Sequence, residues 1–153
     1  MGTINYGTSE YITIGYNCND IDYDDLDNET YLINDLYDSI WCLLKRQHFY
    51  YFHITLDAGY YEGFYINIEN NFNLYFDDYL EKRDAQKEIT QIKRFLLSCV
   101  NEFGCCAVYP GWCTGYADYK TTLQEINAAI LEMRETVKST PTWAKLPKSE
   151  KCA

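Results

Sequence analysis

The chain has 153 residues, of which 47% are hydrophobic and 17% aromatic, and its formal net charge is −10. A chain of this length is typical of one domain and can bury a core without disulfides or metal ions. The aromatic content excludes an intrinsically disordered chain, and no apolar run approaches the roughly 20 residues that a membrane helix needs. The start of the chain has neither a basic segment nor an apolar one, so we expect no secretory signal and a cytoplasmic location in the host cell.

The charge is divided unevenly along the chain. Residues 1–44 carry nine Asp and Glu residues and no Lys or Arg, and the first 81 residues sum to −13. Residues 82–153 carry eight acids and eleven bases, a sum of +3. An acidic surface attracts cationic partners and repels nucleic acid, so we expect no direct binding of DNA or RNA through the N-terminal half. The alternative interpretation is an acidic surface that serves only solubility.

The first predicted elements are a strand and a helix. Residues 11–16 are rich in β-branched and aromatic side chains, which predicts a strand. An acidic loop follows, and a helix is predicted over residues 28–47, with Asp27 or Asn28 as its N-cap. The predicted apolar stripe of this helix consists of Leu32, Leu36, Ile40 and Leu43.

A hairpin is predicted in the middle of the chain. Residues 49–56 are dense in strand-forming side chains, and Asp57-Ala58-Gly59 is typical of a turn. Within residues 64–69, Phe and Ile alternate with Tyr, Asn and Glu, which predicts a half-buried strand. Residues 72–76 are a further candidate strand.

A second helix and a short strand are predicted next. The apolar period over residues 81–103 predicts the helix, and Gly104 is a suitable residue to end it. Residues 105–109 are apolar and predict a short buried strand, which the following Pro and Gly residues would end.

The last predicted helix begins near Thr122, where Thr122 and Glu125 have the spacing of a capping box. The chain over residues 140–153 is expected to be an extended tail. The order of elements predicts a single α+β domain over residues 1–153, with about three helices packed on a mixed, mostly antiparallel sheet.

The most unusual stretch is the acidic segment around the start of the first predicted helix. If the segment is extended, Asp20, Asp22 and Asp24 project from one side about 6.6 Å apart, which resembles the row of charges along a nucleic-acid strand. Carboxylates in the place of phosphates would pair with Arg and Lys side chains of a nucleic-acid-binding groove. The predicted contact residues are Asp20, Asp22, Asp24, Asp25, Asp27, Glu29, Asp35 and Asp38.

The connection from Tyr109 to Tyr119 is a second candidate contact surface. It contains aromatic side chains beside Pro and Gly residues, and aromatic residues are enriched at protein interfaces. The alternative interpretation is a tight connection whose aromatic rings serve packing. The predicted secondary contacts are Tyr109, Trp112 and Tyr116.

We predict no metal site and no cofactor. The spacing of Asp20, Asp22 and Asp24 resembles the start of an EF-hand loop, but Asp25 stands where that loop needs glycine. The seven cysteines are expected to be reduced thiols, and no Cys-x-x-Cys pair is present.

We predict no catalytic residue. The sequence contains no Gly-rich phosphate loop and no G-x-S-x-G motif. A pair of Cys113 with His53 is the alternative that a small enzyme would require, although no family signature surrounds either residue.

In size, acidity and tyrosine content, and chiefly in the stretch from Asp20 to Asp38, the chain resembles small anti-defence proteins of phages and mobile elements. These are proteins of the anti-CRISPR and anti-restriction type. The resemblance implies a non-enzymatic, nucleic-acid-mimicking inhibitor that docks on a basic surface of a nuclease or RNA-guided effector. Acidic immunity proteins share these features and imply the alternative, a protein-interaction domain that uses its Tyr and Trp surface.

Overall fold

The computed structural model describes residues 11–16, 26–59, 63–71, 81–108 and 115–140. Within these ranges the chain forms four strands and three helices. In chain order they are β1 (Thr13–Tyr16), α1 (Leu26–Lys45), β2 (Phe52–Gly59), β3 (Gly63–Asn70), α2 (Lys82–Phe103), β4 (Cys105–Ala107) and α3 (Tyr119–Ser139). The strands lie in the order β2-β3-β1-β4, and each described pair of neighbours is antiparallel. The α+β class predicted from the sequence is therefore confirmed.

One apolar core joins the sheet to all three helices. Ile14 and Ile66 are directly opposite each other on β1 and β3, and both are fully buried in this core. Because side chains alternate between the two faces of a strand, the helices cover the face that carries these isoleucines. Each such side chain contributes about 1.5–3 kcal/mol when it is fully buried. The helical residues of the core include Ile33, Ile40, Ile89, Ile92, Leu96, Ile126, Ile130 and Met133.

The helix α2 begins and ends close to where the sequence predicts. Gly104 follows its last residue with φ of 71°, and its N–H donates to the carbonyl oxygens of Cys99 and Val100. A side chain disfavours this left-handed conformation, whereas glycine adopts it readily. The chain therefore turns directly from α2 into β4.

The helix α1 differs from the prediction in its start and in one buried position. It begins at Leu26, which places Asp27 inside the first turn instead of at the cap. Leu32 is 55% exposed, while the adjacent Ile33 is 9% exposed and joins the core. At about 100° per residue, Ile33 lies roughly 20° from the direction of Ile40, whereas Leu32 lies roughly 80° away. The predicted stripe is thus wrong at Leu32, and its other members contact the core.

The strand β2 runs further than the sequence predicts. Asp57-Ala58-Gly59 was expected to form a turn, but these residues pair with β3 as far as Gly59 opposite Gly63. The carboxylate of Asp57 accepts a hydrogen bond from Nδ2 of Asn67 at 3.2 Å. This bond across the two strands holds Asp57 in the sheet, although its residue type is common in turns.

The strand β3 is buried on both faces over its central residues. Tyr65 and Asn67 were expected on the solvent side of a half-buried strand, yet each is 3% exposed. Tyr65 packs with Val108 in a small second cluster, and Oδ1 of Asn67 accepts a hydrogen bond from the hydroxyl of Thr13 at 2.7 Å. Of the predicted polar side, only Glu69 is exposed.

The helix α3 begins three residues before the predicted capping box. Its N-cap is Asp118, whose carboxylate accepts a hydrogen bond from the N–H of Thr121 at 2.7 Å. Thr122 is buried inside the helix, and its hydroxyl accepts a hydrogen bond from the N–H of Ala107 at 2.9 Å. The predicted capping box is therefore wrong, because the Thr122 hydroxyl accepts a hydrogen bond from β4 and does not cap α3.

Two predicted segments lie outside the described residues. They are the candidate strand over residues 72–76 and the tail from residue 141 onward. Within the described ranges, no helix combines the length and the apolar character that a membrane span requires.

Candidate functional site

A groove with a volume of about 460 Å³ lies between α1 and the end of α2. The second half of α1 forms one wall, and the last two residues of α2 form the other. The lining residues are Asp35, Asp38, Ser39, Cys42, Leu43, Arg46, Glu102 and Phe103. We call this feature the acidic groove.

The packing of α1 determines which of its residues face the acidic groove. Ile33 and Ile40 are buried against the core, so the opposite side of the helix is exposed. Asp35, Asp38 and Cys42 are spaced by three and four residues, which places them along one exposed ridge of a helix. The two carboxylates therefore point to the same surface.

The acidic groove has an excess of negative charge. Asp35, Asp38 and Glu102 supply three exposed carboxylates, and Arg46 is the one cationic residue among the described residues of the lining. The last turn of α2 contains no basic residue. Because the C-terminal end of a helix carries about half a negative charge, the helix adds to the negative potential there.

The groove carboxylates have no cationic partner in the described part of the chain. There, the one ion pair within 4.0 Å joins Lys138 to Glu135 on α3. Exposed carboxylates that are not neutralised locally produce a potential that attracts cations.

The floor of the acidic groove is partly apolar. Leu43 and Phe103 line it and are half-buried, so each presents some apolar surface. An Arg or Lys side chain has an aliphatic stem and a charged head, and such residues place the stem on apolar surface. The groove therefore suits a cationic side chain, with its stem on Phe103 and its head among the carboxylates.

The structure describes some of the predicted contact residues and not others. Asp35 and Asp38 lie together in the acidic groove. Asp27 and Glu29 belong to the first turns of α1. Outside the described residues are Asp20, Asp22, Asp24 and Asp25.

The predicted secondary contact surface is described at one position. Tyr109 and Trp112 lie outside the described residues. Tyr116 is half-buried, packs against Tyr65 and Val108, and places its hydroxyl 3.1 Å from the Tyr65 hydroxyl. Tyr116 thus joins the residues before α3 to the outer face of the sheet.

The described cysteines differ in their environments. Burial raises the pKa of Cys99 to about 12, and burial also raises the pKa of the Cys105 thiol. Both thiols therefore stay protonated near neutral pH and are poor nucleophiles. Cys113, the member of the alternative catalytic pair, lies outside the described residues. Among the residues that the structure describes, no three His, Cys, Asp or Glu side chains are grouped to hold a metal ion.

Sequence reasoning missed Glu102 and Arg46 of the acidic groove. Both stand at the ends of predicted helices, where a charged residue is common. They lie near Asp35 because of the way α1 packs against α2, and no local sequence pattern predicts that packing.

Sequence reasoning also missed Glu88, which is 6% exposed. Its Oε1 accepts hydrogen bonds from the N–H groups of Phe52 at 2.9 Å and Tyr51 at 3.0 Å. Burial raises the pKa of Glu88 above its ordinary value, and the hydrogen bonds from the backbone oppose that change. The sequence did indicate this burial. Glu88 lies three residues after Ala85 and directly before Ile89, on the face of α2 that carries its apolar stripe.

Comparison with protein-family models, with curated proteins and with solved structures finds no match. The geometry and the charge of the chain are therefore the observations that bear on its function.

Proposed function

We propose that the chain is an acidic protein inhibitor that docks on a basic, nucleic-acid-binding surface of a nuclease. It acts by steric and electrostatic blockade, in the manner of an anti-CRISPR decoy, and performs no chemistry itself. The single observation that carries the proposal is the acidic groove. There, Asp35, Asp38 and Glu102 converge on the negative end of α2, and none of them forms an ion pair with another residue that the structure describes.

The charge of the N-terminal half supports the same proposal. Residues 1–44 contain no Lys or Arg, so α1 and the segment before it carry negative charge alone until Lys45. A nucleic-acid channel is lined by Lys and Arg side chains that normally contact phosphates. Carboxylates at those positions form charge-assisted hydrogen bonds with the same side chains.

The groove also determines which cationic side chain of the partner fits best. A guanidinium group can bond two carboxylate oxygens in one plane and can stack on an aromatic ring, whereas an ammonium group acts as a point charge. The acidic groove offers both features, so an Arg side chain of the partner fits it better than Lys.

The first experiment is a pull-down of the tagged chain from a lysate of a nuclease-bearing bacterial host, washed at low and then high salt. We expect recovery of a nucleic-acid-processing protein that elutes as the salt concentration rises. The purified complex then serves to measure inhibition of the nuclease. The double change Asp35→Asn and Asp38→Asn should weaken binding by about ten- to a hundredfold, since close charge pairs at interfaces couple strongly.

A matched control changes the net charge equally elsewhere. Glu125 and Glu132 are exposed on α3, outside the acidic groove. Glu125→Gln with Glu132→Gln should leave inhibition within about twofold, because charges far from an interface are screened by salt. Equal losses in the two double variants would mean that net charge, and not the acidic groove, decides binding.

A second candidate function rests on exposed aromatic residues. Trp41 is 48% exposed and stands three residues after Asp38 on α1, and Trp is common among residues that dominate binding energy. An interaction domain of the immunity type would then bind chiefly through apolar contacts. In that case salt would change binding little, and Trp41→Ala would weaken it more than the double Asp→Asn change.

A further inference from the structure

The hydrogen bonds between β2 and β3 show which backbone groups of β2 point outward. The N–H of Asn71 donates to the carbonyl of Tyr51 at 2.8 Å, so the bonded pairs of this ladder start at Tyr51 and recur at every second residue. In an antiparallel ladder the residues between them direct N–H and C=O away from the partner strand. These residues include Phe52, Ile54 and Leu56.

Of the outward groups of Phe52, Ile54 and Leu56, those of Phe52 have a hydrogen-bond partner among the described residues. The carboxylate of Glu88 accepts a hydrogen bond from the N–H of Phe52. In the part of the chain described, β2 pairs with β3 alone, and no hydrogen bond reaches the outward groups of Ile54 or Leu56. Among the residues that the structure describes, two N–H and two C=O groups along this edge are thus without a partner.

The opposite edge of the sheet is closed. At β4, the outward N–H of Ala107 donates to the hydroxyl of Thr122, and its carbonyl accepts a hydrogen bond from the N–H of Ala117 at 2.8 Å. The start of α3 and the residues before it therefore occupy the edge of β4. The contrast makes β2 the edge that can accept another strand.

Apart from Asp57, the strand β2 lacks the features by which proteins usually protect an edge. Natural edge strands are short, or carry Lys, Pro or a bulge. Over eight residues β2 contains no Lys and no Pro, and its pairing with β3 is one to one from Phe52 to Gly59, without a bulge. Its side chains at Ile54 and Leu56 are half-buried, so part of their apolar surface remains open.

We propose that the edge of β2 is a docking site for an extended segment of a partner protein, which adds as a further strand. The added segment would alternate apolar residues with Lys or Arg along its sequence. The apolar ones would contact Ile54 and Leu56 on the helix side of the sheet. The basic ones would lie on the other face, where Asp57 and Glu69 carry negative charge. This mode of recognition combines main-chain hydrogen bonds with side-chain selectivity.

Charge favours such a segment over a second copy of this chain. Pairing of two β2 edges would bring Asp57 of both copies to one sheet, in two chains that each carry a net charge of −10. Like charges across an interface oppose association. The inference does not depend on the partner being a nuclease, and the acidic groove is not part of this site.

Amide hydrogen exchange of the full chain, followed by NMR, tests the inference. In the free protein the amides of Ile54 and Leu56 should exchange rapidly, whereas the amide of Thr55, which bonds to β3, should be protected. An eight-residue peptide that alternates Lys with Val should slow exchange at Ile54 and Leu56 by at least about tenfold. A peptide that alternates Glu with Val should have no effect.

Two variants test the geometry. Leu56→Pro removes an outward N–H, which an edge strand tolerates, and should abolish binding of the Lys and Val peptide. Asp57→Asn leaves the backbone unchanged and should weaken binding of that peptide by about fivefold, so the test does not rely on the folding of the proline variant.

Four results would overturn the inference. They are protection of Ile54 and Leu56 in the free protein, no change with the Lys and Val peptide at millimolar concentration, and equal binding of the Glu and Val peptide. The fourth is protection that rises with protein concentration together with a doubled mass, which would identify a second copy as the occupant.

Discussion

The change Glu88→Ala should destabilise the fold strongly, whereas Glu88→Gln should be nearly neutral. Oε1 of Glu88 accepts from both the Phe52 and the Tyr51 amides, at 2.9 and 3.0 Å, in a site where the side chain is 6% exposed. Alanine leaves both amides without an acceptor, and each unsatisfied buried donor costs about 1–3 kcal/mol. We therefore expect a loss of about 2–5 kcal/mol for Glu88→Ala. Glutamine retains one acceptor oxygen, and its expected cost is about 1 kcal/mol or less.

The measurement is the free energy of unfolding from urea titrations followed by circular dichroism. A typical domain has about 5–15 kcal/mol of stability, so the expected loss in Glu88→Ala is readily measured. Glu125→Gln, on the exposed face of α3, is the control and should stay within about 0.5 kcal/mol. A Glu88→Ala variant as stable as the wild type would refute the reasoning, because the two amides would then need no acceptor from α2.

The same residue predicts a pH dependence. Burial raises the pKa of Glu88 in the folded chain above its ordinary value of 4.5. Between these two pKa values the folded chain holds a proton that the unfolded chain releases, so this contribution to stability is complete at low pH and is lost as the pH rises through the folded pKa. Relative to Glu88→Gln, the wild type should therefore lose stability as the pH rises above 4.5. A constant difference between the two proteins over that range would contradict the raised pKa.

Substitutions at two positions and one labelling experiment test the fold and its thiols. Gly104→Ala should cost about 1–2 kcal/mol in urea unfolding, because φ is +71° there, while an added Cβ would make only an ordinary contact with Cε2 of Tyr16 at 4.0 Å. An unchanged stability would show that no backbone strain arises. Thr122→Val removes the acceptor of the buried Ala107 amide of β4 and should cost about 1–3 kcal/mol of stability. Thr122→Ser keeps the hydroxyl and should retain most of the stability. Equal losses in the two variants would exclude the hydrogen bond as the cause. In the folded chain at pH 7, iodoacetamide should label the exposed Cys42 well before the buried Cys99 and Cys105, as judged by peptide mass spectrometry; early labelling of Cys99 would contradict its raised pKa.

Local patterns in the sequence were sufficient for most of the fold. The apolar period and the glycine stop predicted α2, because both act within a few residues of the chain. The prediction was wrong at Leu32 since Leu32 and Ile33 are adjacent and both apolar, and the choice between them depends on the packing of α1. It was wrong at Thr122 because the partner of that hydroxyl, the amide of Ala107, is 15 residues away.

The candidate site was predictable only in part. The excess of acids in residues 1–44 drew attention to Asp35 and Asp38, which the structure places in one groove. The contribution of Glu102 arises from the contact between α1 and the end of α2, so it has no signature in the local sequence. The open edge of β2 likewise depends on the strand order, which the pattern of strands and helices leaves undetermined.

The most direct test of the central claim is the salt dependence of Kd for the complex between this chain and the nuclease it captures. If the acidic groove binds cationic side chains, Kd should rise steeply with salt for the wild type and for the control Glu125→Gln with Glu132→Gln. Asp35→Asn with Asp38→Asn should give a weaker complex with a shallower slope, because fewer ion pairs remain to be screened. An identical slope in all three proteins would contradict the account and would favour binding through the exposed aromatic residues.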